Sequence, residues 1–580
     1  MSAGATCSSR WPSGTTPPPT RPPCAARSSR PGSKASARWP VWSRVFTKRS
    51  PRTGPTVADG TQVLVAGAGP VGLTAAHELA RRGLRVRLID AAPHPATTSR
   101  AVATHPRTLE TYDQMGVIEE ILEQAQQIKA FTMFSQGRRL VRLAADYTSM
   151  PTRYPFTAIV EQADTEAVLR AAVARLGVDV EWGTRLTGFS QTTDGVTVTL
   201  EHADGSTESA ETLWLVGCDG GHSAVRKVLG LPLLGEASET WMLADAPVDV
   251  DLPRDSIYWV HTGSQALMMV PFKRGGRWRL LDTTTAAPGT DAAVIADRFT
   301  QKLGPGLGRS AKVRTPTWTS VFTFQQRMVP RMGEGRVFVA GDAAHVHSPA
   351  SGQGMNTGIQ EAYNLAWKLA LVAQGQAERE LLDSYSAERV PVGERLLGST
   401  KKATFLVQLK NAFAPIALPI VFGVIRNLAP LRRKVQREVL GGISGLQLGY
   451  PDSPLTRPVA TAPGPRPGAR ASVGAGADPA DAGCRAWAEE LRDTRWTLAV
   501  TQDAVAGAPA ANAWLSVRTL CDATEGLGPL ADPNGRLRAA LGLAPGGWLL
   551  VRPDGYVAAR GRELTGADLQ QALAAAGLRA

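Results

Sequence analysis

From Gln62 the chain sets short apolar runs against helical periods in a definite order. "QVLVAGAGPVGLTAAHELARRGLRVRLID" reads as an apolar strand, a glycine turn, an alanine-rich helix and a second apolar strand ending at Asp90, which together make one βαβ unit. Residues 104–128 have a helical character, and alternating runs at "VDVEWGTRLTGFS" and "GVTVTLEHADG" predict strands. Sheet is also predicted across about 236–314, with a turn at Gly275-Gly276. A long helix follows "GDAAHVHSPASGQG", and residues 455–480 have the Pro/Gly/Ala composition of a linker. The last hundred residues return to strands and close with a helix, where Thr565 and Asp568 fit a capping box. The pattern is that of an α/β chain whose 580 residues exceed one ordinary core.

Residues 1–57 show neither period. Rich in Pro, Ser, Arg and Gly, they predict a disordered basic tail, and we expect them to reflect a start codon set too far upstream, with folding beginning near Val57. They lack the apolar core of a secretory signal, and their prolines spoil the amphipathic helix of an organelle presequence. The first 60 residues hold ten Lys/Arg against one acid, and so carry nine of the thirteen net positive charges. The remaining body is close to neutral, which removes the electrostatic case for a nucleic-acid partner. Five scattered cysteines without a C-x-x-C pair suggest neither a disulfide framework nor a zinc site, and a reducing cytoplasm fits them. The apolar stretch 412–425 holds 14 residues and two prolines. A bilayer span needs about 20 residues, so we expect a packed helix and no stable membrane insertion.

The chemistry begins at Gly67-x-Gly69-x-x-Gly72, directly after a strand and opening a helix. The first glycine permits the tight turn, the second lets backbone approach a pyrophosphate, and the third lets helix and strand pack closely. An anion there meets the free N–H groups and the dipole of a helix N-terminus. Asp90, at the end of the next strand, is placed to accept hydrogen bonds from a ribose hydroxyl. Two further segments repeat the strand–turn–helix setting: Asp219-Gly220, with Arg226 in the helix that follows, and Gly341-Asp342, followed by a glycine-punctuated loop. Gly352, Gly354, Met355 and Asn356 begin the next helix, where backbone N–H groups suit a negative charge.

At these residues the chain resembles the class A FAD-dependent aromatic monooxygenases, the group of para-hydroxybenzoate, phenol and aromatic polyketide hydroxylases. The resemblance implies a Rossmann-type FAD-binding domain over 58–400 with substrate-domain insertions at about 131–156 and 236–314. It further implies a helical connector over 401–455, then a linker and a thioredoxin-like α/β domain without C-x-x-C over 456–580. It implies that Asp342 holds the ribityl chain of FAD and that Asp219-Gly220 serves FAD and a transient NADPH or NADH. Arg100 and Gln162 match positions that contact the flavin's linker and phosphates, and Pro349 matches the proline beside the reactive face of the ring. Glu361 stands where the group often has Asp, and Asp90 where Glu is common. The implied reaction is NAD(P)H- and O2-dependent hydroxylation of a phenolic or polyketide-like small molecule through a flavin C4a-hydroperoxide.

No second strand-anchored glycine motif is present, which argues against a separate NAD(P)H domain. His345 and His347 are expected to pack or hydrogen-bond locally, and no metal-ligand spacing appears. Trp241, Tyr258, Trp259, Met268 and Trp278 are candidates for a substrate pocket, although strands favour such residues in ordinary cores too. No single catalytic base stands out. A monomer or homodimer is expected. The rival readings are another flavin oxidation on the same fold (Baeyer–Villiger-type insertion, epoxidation or dehydrogenation) and a non-catalytic flavin- or ligand-binding protein.

Overall fold

The computed structural model describes residues 60–144, 152–262, 265–284, 290–346, 352–408, 428, 441–458, 463–473, 482–522 and 529–578. The basic tail, Pro349, His347 and the apolar stretch 412–425 lie outside the described residues.

The first sheet has six strands, and its centre brings the three motifs together. Val63–Ala66 pairs in parallel with Val86–Asp90 on one side and Trp214–Gly217 on the other, and Trp214–Gly217 pairs in turn with Val337–Val339. All of Val63–Ala66, Trp214–Gly217 and Val337–Val339 is buried, as expected of strands covered on both faces. The helix Pro70–Arg81 starts on a proline, which suits the first helical position because that N–H has no intrahelical partner. The stretch expected to be helical over 104–128 is broken. Helix Pro106–Met115 stops at Gly116, whose φ of 78° caps it, and Ile118–Gln124 gives way to a strand at Gln126–Ile128.

The second, larger sheet carries Ala130–Ser135, Arg138–Ala144, Leu234–Val250, Ser256–Thr262, Gln265–Pro271, Arg277–Asp282 and Trp318–Met328. It extends beyond the expected limit near 314, because Trp318–Met328 pairs with Leu234–Val250 along most of its length. Helix Ala292–Leu307 covers one face of this sheet, with Ile295, Phe299 and Leu303 packed against Tyr258, Val260, Trp278 and Leu280. The turn at Gly275-Gly276 forms as expected, both residues having positive φ.

The C-terminal region folds around a mixed five-stranded sheet in the order Pro529–Ala531, Leu515–Cys521, Trp496–Thr501, Trp548–Val551, Val557–Gly561. Its last helix is capped as the sequence predicts, Thr565 accepting from the Asp568 N–H. Buried ions fasten this sheet to the first domain. Arg552 donates to both oxygens of Glu388 (2.5 and 2.9 Å) and to Asp554, and Lys368 donates to Glu388 at 2.8 Å. Part of the expected linker is built into this junction: Arg470 contacts both oxygens of Glu110 at 2.6 and 2.7 Å, and Ala471 and Val473 are buried.

Candidate active site

Adjacent parallel strands end at one edge of the first sheet, so the Gly67, Asp90, Asp219 and Gly341 turns stand side by side. This is where open α/β sheets bind ligands. Gly67 adopts φ +105°, and a Cβ there would lie 2.3 Å from the Cys218 carbonyl oxygen. A Cβ on Gly72 would lie 1.8 Å from the Gly67 carbonyl oxygen. Both glycines are therefore fixed by close backbone approach. Gly69 differs, since a Cβ on it would meet nothing within 4 Å. It is the N-cap of helix Pro70–Arg81, and no side chain caps that terminus. The free space and free donors at Gly69 match the outline of an absent anionic group.

The three acids of the edge are in different states. Asp90 is already engaged: its oxygens accept from the Ala68 N–H at 2.6 Å and the Ala92 N–H at 2.8 Å, so it shapes the glycine turn and keeps only its remaining lone pairs for a ligand. Asp219 Oδ2 accepts from the N–H groups of Ala224 and Val225 at 2.7 and 3.2 Å, while its Oδ1 is buried with no hydrogen-bond partner. An orphaned carboxylate oxygen at this edge is what a hydroxyl-bearing ligand would satisfy. Asp342 is solvent-accessible but ringed by protein. Desolvation raises its carboxyl pKa, with the charges of His345 and Arg100 pulling the other way.

Side chains that the sequence did not single out for this purpose hold the turns in place. Arg226, buried, donates to the carbonyls of Gly221 and Ala343 and so ties two motifs together. Glu361 accepts from the Gly341 N–H at 2.9 Å and from His345 Nε2 at 2.8 Å. Burial works against ionisation of Glu361, but the His345 and Arg389 charges and these hydrogen bonds hold its pKa below the ordinary value. Burial would likewise lower the His345 pKa, and Glu361 overrides it upward. The expectation of a local hydrogen bond for His345 therefore fits the geometry. Among the described residues no group of three or more His, Cys, Asp or Glu could hold a metal.

The helix expected to begin near Gly352 spans Gly354–Ala373, and its N-terminus also lacks a side-chain cap. Gly352 itself takes φ +62°, and the Asn356 amide donates to the Ala103 and Gly352 carbonyls and accepts from the His105 N–H. Met355 is partly buried behind it. Gln162 is likewise occupied within the protein, its Oε1 accepting from the Ala101 N–H at 2.9 Å and its Nε2 donating to Glu166. It sets the loop that carries the exposed Arg100.

The substrate candidates divide by strand alternation. Tyr258 and Trp278 face helix Ala292–Leu307 and belong to its core, and the Tyr258 hydroxyl donates to the Pro253 carbonyl at 2.6 Å. Tyr258 also borders a cavity with Phe134, Arg142 and Arg309, while Trp278 is buried. Their odd-numbered neighbours take the opposite face. Trp241 clusters there with Leu243 and Leu281, against Met268 and Trp318, and Trp259 is in register with Met268. The same face carries Arg279, whose guanidinium reaches the Arg100 loop.

Comparison with known proteins agrees with this layout. The family described as FAD binding domain matches residues 60–400. The chain is 49% identical over 513 residues, 88% of this chain and 92% of the relative, to a 6-methylpretetramide 4-monooxygenase of Streptomyces rimosus. Among solved structures it is similar to an anhydrotetracycline hydroxylase of Streptomyces rimosus (29% identity, TM-score 0.68, covering 89% of this chain and 98% of that one). It is also similar to an aromatic hydroxylase from angucycline biosynthesis (28%, TM-score 0.66, 90% and 100%). Family match and strand-edge geometry coincide on the same residues, and the chain belongs to the FAD binding domain family as an FAD-dependent monooxygenase.

Proposed function

We propose that the protein hydroxylates a fused-ring phenolic polyketide of the pretetramide kind, taking electrons from NADPH or NADH. The observation that carries this reading is the 49% identity to a 6-methylpretetramide 4-monooxygenase across 88% of the chain, joined to an aromatic sheet face beside the cofactor edge. FAD, when bound, would supply the redox chemistry between the nicotinamide, O2 and the ring.

The protein's own residues bind, orient and exclude. The open helix terminus at Gly69 offers N–H donors to the pyrophosphate. Asp90 retains acceptor capacity for a ribose hydroxyl, and Asp219 Oδ1 and Asp342 offer acceptors to the hydroxylated chain of the cofactor. The uncapped N-terminus of helix Gly354–Ala373 would offer positive potential to negative charge on the cofactor. Met268 and Trp318, partly buried and packed against the fully buried Trp241, give an apolar surface suited to a polycycle, and covering it with substrate keeps water from the reacting atoms. Among the described residues no helix is long and apolar enough to cross a membrane.

The test is to incubate FAD-loaded protein with NADPH or NADH, O2 and a panel of tetracyclic and smaller phenols, measuring NAD(P)H oxidation and product mass. The reading predicts substrate-stimulated oxidation and a product one oxygen heavier, for tetracyclic phenols above all. Turnover confined to single-ring phenols would overturn the polyketide assignment.

A further inference from the structure

Arg279 and Asp245 face each other on neighbouring antiparallel strands of the large sheet, on the side turned away from helix Ala292–Leu307. Arg279 Nε and Nη2 donate to the two Asp245 oxygens, each at 2.7 Å, and both side chains are buried. The remaining donor capacity leaves the sheet: Nη1 donates to the Arg100 carbonyl and Nη2 to the Ser99 carbonyl, each at 2.5 Å. The other side of this loop is held by the start of helix Gln162–Arg175, through Gln162 Oε1 to the Ala101 N–H and Ser99 Oγ to the Ala163 N–H.

The guanidinium also lies 4.9 Å from the Trp318 ring centre and 5.7 Å from that of Phe272. Trp318 packs on the Trp241–Leu243–Leu281 cluster. One planar cation therefore joins the aromatic wall to the backbone of Arg100, and the Arg100 charge in turn acts on Asp342 across the cofactor edge. A buried ion pair needed only to hold two strands could be replaced by apolar residues at little cost. The two carbonyl contacts are what an apolar pair could not supply.

We infer that Arg279, oriented by Asp245, is a positioning residue that registers the Arg100 loop against the substrate-facing sheet, so that a polycycle packed on Trp318 also fixes Arg100 beside the cofactor. The substrate half of this inference rests on the function proposed above. The cofactor half does not.

The test compares Arg279→Lys, which keeps the charge but cannot bridge carboxylate and both carbonyls, with the double variant Arg279→Met/Asp245→Leu, which leaves no lone buried charge. Arg100→Ala is the reference, since that side chain is exposed. Two readouts are taken on folded protein: FAD affinity by flavin fluorescence titration, and the ratio of NAD(P)H oxidation with and without a tetracyclic phenol. The clasp predicts FAD affinity weakened about tenfold in both variants and a substrate stimulation ratio reduced about tenfold, within the usual range of coupling between sites. Adding Arg100→Ala to Arg279→Lys should cost FAD affinity nothing further. Wild-type affinity and ratio in both variants would overturn the clasp. If wild type itself shows no stimulation by any phenol, the substrate reading fails, while the FAD affinities still decide the clasp.

Discussion

Replacing Gly69 with alanine separates cofactor binding from folding. Gly69 has φ −71° and ψ −179°, which an L-residue adopts without strain, and the added Cβ meets nothing within 4 Å. Two small effects on the apoprotein oppose each other: alanine is a poorer N-cap than glycine, while its stiffer unfolded chain favours folding, each on the order of 0.5–1 kcal/mol. The apoprotein should therefore unfold within about 0.5 kcal/mol of wild type. The cofactor meets the full effect, because the Cβ projects into the space above the uncapped helix terminus. A pyrophosphate displaced from one charge-assisted hydrogen bond loses about 1.5–3 kcal/mol, which is roughly a ten- to hundredfold loss of FAD affinity. Gly72→Ala is the contrasting case: its Cβ would lie 1.8 Å from the Gly67 carbonyl oxygen, so the apoprotein itself should lose about 1–3 kcal/mol or more. Urea unfolding of both apoproteins and flavin fluorescence titration read the two quantities. Unchanged FAD affinity in Gly69→Ala, or an apoprotein as destabilised as Gly72→Ala, refutes the cradle.

Three further outcomes follow from buried groups. The folded pKa of His345 is raised, so its contribution is complete below its ordinary 6.5 and lost as pH rises through the folded value; that of Glu361 is lowered, so its contribution is complete above 4.5 and lost as pH falls. The stability difference between wild type and Glu361→Gln should therefore peak between those two values and shrink on either side in urea titrations, and a flat difference would remove the ion pair from the account. Arg552→Met leaves Asp554 without its guanidinium partner and Glu388 with Lys368 as its remaining cation, and should cost about 3–5 kcal/mol in chemical denaturation, whereas a loss under about 1 kcal/mol would mean the junction is not held by these ions. Cys484 and Cys521 are both buried, so they should resist thiol reagents until the protein unfolds, and the protein should not reduce insulin disulfides; catalytic reduction would give the C-terminal region a redox role.

The cofactor edge was legible because its signals are local: a strand, a glycine turn and an acid at the next strand end each impose a short, fixed spacing, and Gly67, Asp90, Asp219 and Gly341 converge accordingly. The substrate wall was only half legible. Tyr258 and Trp259 are equally aromatic and adjacent in sequence, and only the position of helix Ala292–Leu307 decides which one faces the core and which the opposite side. The break at Gly116 was hidden by the helical character on both sides of it. Long-range pairs left no trace in the chain, since Arg279 meets carbonyls 179 and 180 residues away and Arg470 meets Glu110 at a separation of 360. The built-in stretch 463–473 read as linker because its composition is that of a loop, while its packing comes from the buried Arg470, Ala471 and Val473 and from backbone hydrogen bonds of Gly468 and Ala469 to Val557.

The most direct test of the central claim is the fate of molecular oxygen. FAD-loaded protein, NADPH and a tetracyclic phenol are incubated under 18O2, and the product is weighed by mass spectrometry. The account predicts one 18O atom per product molecule, bonded to a ring carbon as a new hydroxyl, in step with one NADPH consumed. A product without 18O, or NADPH consumed with all the oxygen recovered as hydrogen peroxide, would contradict it.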